Sequence, residues 1–195
     1  MRASISQSRF RGSAHGIACA TGINTNGYDP VDTLKELNGI IDIYLPDIKY
    51  ASDSLARKYS QAQDYVAISR AAIKEMYHQV GNLVVDEDGI AQHGLIVRHL
   101  VLPNGIAGSE QSLQWLASEL SPLVTVSIMS QYMPAHKAPR VPLLSRAISS
   151  DEYDVVRELI YNLKLENGWL QELSASGTYI PDFEKEGHPF SITTD

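Results

Sequence analysis

Three short apolar runs rich in β-branched residues, separated by segments of helical periodicity, limit this chain more than any other feature. Residues 40–45 carry only Asp42 as a polar interruption and stop at Pro46 and Asp47. Residues 94–102 stop at Pro103, Asn104 and Gly105, and residues 123–129 lead towards a Pro-rich loop at 134–142. A strand covered on both faces reads as such a run, and parallel sheets are where both faces are covered. Between the runs, Asp29 and Pro30 are placed to open a helix that closes at Gly39. Residues 52–59 suggest a short helix. Residues 64–80 suggest a longer one, with Ile68, Ala72 and Met76 at four-residue spacing and Gly81 as its stop. Residues 109–120 place Leu113, Leu116 and Leu120 on one side. Ser149 with Glu152 forms a capping-box pattern before the stripe Tyr153, Val156, Ile160 and Leu163. Residues 83–86 and 89–91 suggest a small hairpin around Gly89. The strand–helix alternation predicts one α/β domain built on a parallel sheet or barrel.

The chain has 195 residues, 16 Lys and Arg against 23 Asp and Glu, and a net charge of -7. That balance argues against general binding to nucleic acid or to anionic membranes, which need a basic surface. No apolar segment is long enough for a membrane span. Residues 1–21 contain Arg2, Arg9 and Arg11, several serines and no acid, without an apolar stretch of the secretory type. They are expected to be an unpatterned start, either disordered or non-native, residues 22–175 the folded domain, and residues 176–195 a tail. Cytoplasm is the expected compartment. Cys19 is the sole cysteine, so neither a disulfide framework nor a cysteine-rich metal cluster can be built from this chain alone.

In parallel α/β folds, function collects at the C-terminal ends of strands. Four polar patches stand there: Asn24, Thr25 and Asn26; Asp47 with Lys49; Arg98 and His99, with Pro103 and Asn104 at the exit; and Ser130, Gln131 and Tyr132, with His136 nearby. Arg98 interrupts an apolar strand, and an unpaired buried guanidinium would cost several kcal/mol. It requires a carboxylate, a ligand or a wet cavity, and Asp47 is the natural protein partner. The competing reading is a structural ion pair. His78 and His188 read as surface groups, and His93 and His99 are too isolated for metal ligation. Trp115 and Trp169 read as packing groups. No phosphate-binding glycine loop, nucleophile elbow or H-E-x-x-H pair is present.

At these patches the sequence resembles the radical S-adenosylmethionine superfamily, in particular the pyruvate formate-lyase activating enzyme group. The matching pieces are NTNGY at 24–28, IDIYLPDIKY at 41–50, GLIVRHLVLPNGIAG at 94–108 and IMSQYMPAHKA at 128–138. ISSDEYDVV at 148–156 and GWLQE at 168–172 continue the match in order. The resemblance implies an incomplete parallel (β/α)6 barrel whose first strands are missing. Its cofactors would be S-adenosylmethionine and a 4Fe-4S cluster, with a deoxyadenosyl radical abstracting hydrogen from a substrate or partner glycine. Asn24, Asn26, Asp47, Lys49, Arg98 and Gln131 would line the S-adenosylmethionine side.

The chain departs from that pattern in several places, among them the absence of the Gly-Gly-Glu turn that holds the methionine amine. Asn24 stands where activating enzymes usually carry Asp, and Gln131-Tyr132-Met133 stands where they show Pro-Tyr-His. The C-x3-C-x2-C loop that binds three irons of the cluster is absent. The expectation is therefore a C-terminal fragment of a radical-SAM protein, without autonomous catalysis and without a cluster of its own. Its partner would be a protein substrate or a completing chain. One alternative is a non-catalytic binding or assembly module that pairs its open edge with another chain, and another is a different α/β enzyme using Asp47, Lys49 and Arg98 without iron.

Overall fold

The computed structural model describes residues 20–173. The expectations for the start and the tail, for Cys19 and for His188 lie outside the described residues. The elements are β1 (Gly22–Thr25), α1 (Val31–Glu36), β2 (Ile43–Pro46), α2 (Asp53–Ser60), α3 (Tyr65–Val80) and β3 (Val84–Val85). They continue with β4 (Ala91–Leu100), α4 (Ser109–Glu119), β5 (Thr125–Met129), α5 (Ser150–Asn162) and β6 (Gly168–Leu170). The expected parallel α/β sheet is present. Its order is β1-β2-β4-β5-β6, every one of those pairs is parallel, and β3 adds to β4 as an antiparallel hairpin. The main strands follow chain order without reversal, and parallel neighbours joined by right-handed crossovers place their helices on one face.

Alternation along the strands divides the sheet into two faces. Leu95 and Val97 of β4 and Val126 and Ile128 of β5 belong to the main core with residues of α3, α4 and α5. On α3 the buried face runs through Ser69, Ala72, Ile73, Met76 and Val80, close to the expected stripe. Asn24, Leu45, Asp47, Ile96 and Arg98 alternate with residues of that core and point to the opposite face. Among the described residues, no helix is long and apolar enough to cross a membrane.

Three local expectations need correction. Asp29 does not cap α1: its carboxylate accepts the Thr25 hydroxyl at 2.6 Å, and Pro30 occupies the cap position. β2 begins later than the apolar run because Asp42 closes onto Thr21. Its carboxylate accepts the Thr21 N–H at 2.7 Å, and Ile40 is left 58% exposed. Trp169 is not a packing group. It lies 55% exposed in β6, an edge strand whose three residues are all exposed and therefore carry no burial pattern.

The capping box of α5 is formed, with Ser149 Oγ accepting the Glu152 N–H and Glu152 accepting the Ser149 N–H. Glu152 also accepts two hydrogen bonds from Arg146 and one from the Asn104 N–H. The Arg146 guanidinium holds its carboxyl down at about 2. This network joins the exit of β4 to the start of α5.

Candidate functional site

The register of the parallel strands brings three of the four patches together. Asp47 is bridged to Arg98, Arg98 is paired with Ser127, and Ser127 with Trp169. Thr25 pairs with Pro46, so Asn26 comes level with Asp47. Paired residues of neighbouring parallel strands share a face, so this row crosses the sheet on the side opposite the helices. Asn24 lies on the same face, opposite Leu45.

Asp47 is shared by two cations. Arg98 Nη2 lies 2.6 Å from Asp47 Oδ1, and Lys49 Nζ donates to Asp47 Oδ2. The side chains of Asp47 and Arg98 are 14% and 25% exposed, so the pair is largely withdrawn from water. The Arg98 contact is an ion pair rather than a directed hydrogen bond. Asp47 Oδ1 and Arg98 Nε are both buried without a hydrogen-bond partner among the described residues. Among the described residues, two cations face one anion here, and the Lys49 side chain is 39% exposed.

The turn after β1 presses on this group. Thr25 Oγ1 accepts the Gly27 N–H at 2.8 Å, and Asn26 Oδ1 accepts the Tyr28 N–H at 2.9 Å. Asp47 N–H donates to the Thr25 carbonyl at 3.1 Å, which fixes the turn against the exit of β2. Gly27 has φ of +71°, and a Cβ there would stand 2.1 Å from the Asp47 carbonyl oxygen. The approach of the two segments therefore depends on a residue without a side chain.

Gln131 does not join the group. Its Oε1 accepts from Gln171 Nε2 at 2.6 Å, while Gln171 Oε1 accepts the Ser130 N–H. It locks the segment after β6 to the end of β5. Ser130 does the same, donating to the Glu172 carbonyl at 2.9 Å.

His99 is fully buried and serves as a brace. Its ring spans from the Ile48 carbonyl at 2.8 Å to Ser109 Oγ at 2.9 Å. Burial pushes its pKa below the ordinary imidazole value, so the neutral ring donates to Ile48 and accepts from Ser109. A His that stays neutral when folded but protonates when unfolded stabilises above its unfolded pKa. That stability is lost as pH falls through about 6.5 towards the folded value. Urea titrations across pH should show stability falling from about pH 6.5 downward, with the slope largely removed in His99→Gln. An unchanged slope in that variant would contradict a neutral brace.

Aromatic rings flank Lys49. Its N–H donates to the Tyr65 hydroxyl at 2.8 Å. Tyr65 stacks on Tyr28 at 5.8 Å and meets Tyr50 edge-on at 5.6 Å. Burial pushes the Tyr65 hydroxyl above its usual range. Sequence pattern alone does not single out these tyrosines. The available signal is that Tyr28 and Tyr50 directly follow the Asn26-Gly27 and Lys49 patches. Among the described residues, no group of three or more His, Cys, Asp or Glu side chains is placed to hold a metal ion.

No family model and no solved structure matches this chain. It is similar to Uncharacterized protein MJ0674 of Methanocaldococcus jannaschii, with 31% identity over 145 residues. The match takes in 73% of this chain and 38% of the relative, so the chain spans well under half of that protein's length.

Proposed function

We propose that this chain forms part of the wall of a radical S-adenosylmethionine-type barrel, similar to pyruvate formate-lyase activating enzymes. In this reading the strand exits hold the methionine end of S-adenosylmethionine. The uninterrupted order of the parallel strands supports a barrel wall, since each unit adds beside the last without the reversal of a doubly wound sheet. One observation carries the ligand reading: among the described residues the buried Arg98 Nε has no acceptor, in a group of two cations and one anion.

The residues present fit the amino-acid part of S-adenosylmethionine. A guanidinium offers paired donors to a carboxylate, and Lys49 adds a second cation. Asp47 supplies the opposite charge that an ammonium requires. Asn26 and Asn24 provide polar groups on the same face, whereas Gln131 is engaged by Gln171. When bound beside a reduced cluster, S-adenosylmethionine supplies hydrogen-abstraction chemistry. The residues of this chain would bind and orient it.

The 4Fe-4S cluster does not fit the donors of this chain. Cys19 supplies one thiol where three irons each need a thiolate. Catalysis would require cysteines from elsewhere, and the substrate would be a protein or another molecule delivered to the assembled site. A second reading, a non-catalytic assembly module, is favoured by β1, which pairs only with β2 among the described residues. A protein that sediments as a single monomeric species would weigh against that reading.

Calorimetric titration of the iron-free protein with S-adenosylmethionine, followed by anaerobic reconstitution with iron and sulfide, tests the proposal. Binding of S-adenosylmethionine without cluster absorbance is expected. A fully formed cluster on the isolated chain would contradict its cluster-free part, and no binding would contradict the ligand assignment.

A further inference from the structure

We propose that residues 133–143 form a docking surface for a short acidic segment of a partner protein. This goes beyond the cofactor reading and stands on the residues of the loop itself. In a chain of net charge -7, residues 131–150 contain no Asp or Glu, while Lys137, Arg140 and Arg146 are all cationic. Arg146 is matched by Glu152. Lys137 and Arg140 are exposed and form no ion pair with a described residue.

The loop is built to hold a shape. Pro139 and Pro142 lie in two 3-10 turns, Ala138–Arg140 and Pro142–Leu144. The Arg140 N–H donates to the Lys137 carbonyl at 3.0 Å, and that of Leu144 to the Val141 carbonyl at 2.8 Å. Residues three apart in a 3-10 turn lie on one side, which sets Lys137 and Arg140 beside each other. The ends of the loop are anchored. Leu144 is buried in an apolar cluster with Tyr50, Leu102 and Ile106, and its carbonyl accepts from the Tyr132 hydroxyl at 2.8 Å. Asn104 Nδ2 donates to the Leu143 carbonyl at 2.7 Å. These anchors set the loop beside the exits of β2 and β4, against Tyr50, Leu102 and Asn104. Little further ordering is needed on binding, which lowers its entropic cost.

The chemistry of the occupant follows from the surface. Two unmatched cations ask for carboxylates. Leu143 and Met133, 46% and 40% exposed, add apolar contacts. A long polyanion such as single-stranded DNA would extend from this small patch over a predominantly acidic chain and meet repulsion. A short segment alternating Glu with Leu satisfies both parts of the surface without leaving it.

The test is fluorescence anisotropy on the full chain with three labelled probes. They are the peptide Glu-Glu-Leu-Glu-Glu-Leu-Glu-Glu, its Lys-for-Glu counterpart, and an oligothymidylate. The acidic peptide is expected to bind more tightly than either other probe and to weaken with salt. The double variant Lys137→Glu, Arg140→Glu should bind it about tenfold more weakly, because two attractions become repulsions. The thermal midpoint should stay unchanged, since both side chains are exposed and form no ion pair with a described residue. No binding by the wild type, a loss below about threefold in the double variant, or tighter binding of the oligothymidylate would each overturn the proposal.

Discussion

Replacing Gly27 by alanine is expected to destabilise the protein by roughly 3 kcal/mol, a drop of about 6–12 °C in Tm. Two effects combine. The residue holds a left-handed backbone conformation, and its Cβ would lie 2.1 Å from the Asp47 carbonyl oxygen. That obstacle is main chain and cannot rotate away. Gly39 supplies the control, because its φ is +77° but nothing lies within 4 Å of its added Cβ. Gly39→Ala should therefore cost only the conformational part, about 1 kcal/mol. Equal losses in the two variants, measured by chemical denaturation, would show that the turn after β1 does not press on the exit of β2.

Neutralising Asp47 should cost more stability than removing Arg98. Asp47→Asn leaves the largely buried Arg98 without its anion and beside the half-exposed Lys49, a loss of roughly 2–3 kcal/mol. Arg98→Met leaves Asp47 still paired with Lys49 and fills much of the vacated volume with apolar atoms. Its cost should be about 1 kcal/mol or less. The asymmetry follows from one anion serving two cations. Urea denaturation of both variants at neutral pH checks it, and the reverse order would contradict the shared-anion arrangement.

Much of the scaffold was readable because burial leaves a local trace. The apolar runs mark β2, β4 and β5, and the Ser149–Glu152 pattern marks the cap of α5. The Asp47–Arg98 pair was also legible, because a guanidinium within an apolar strand must be matched by charge. What escaped the reading depends on pairings distant in sequence. β6 is held by its parallel register with β5, but its exposed Gly-Trp-Leu has no alternation to reveal it. Gln131 looked available until Gln171, 40 residues away, engaged its carbonyl oxygen. Asp29 had the residue type and position of a helix cap, yet the Thr25 hydroxyl drew it into the turn. The rings around Lys49 meet only because α3 carries Tyr65 back to the exit of β2, 16 residues from Lys49.

In the proposed function, Arg98 and Lys49 receive the carboxylate of S-adenosylmethionine. Parallel titrations of the iron-free protein with S-adenosylmethionine and with its decarboxylated analogue measure this directly, with Arg98→Met as the second arm. The expected result is that the wild type prefers the carboxylated ligand by at least about tenfold, and that Arg98→Met abolishes the preference while remaining folded. Equal affinity for the two ligands, or a preference that survives in Arg98→Met, would contradict it.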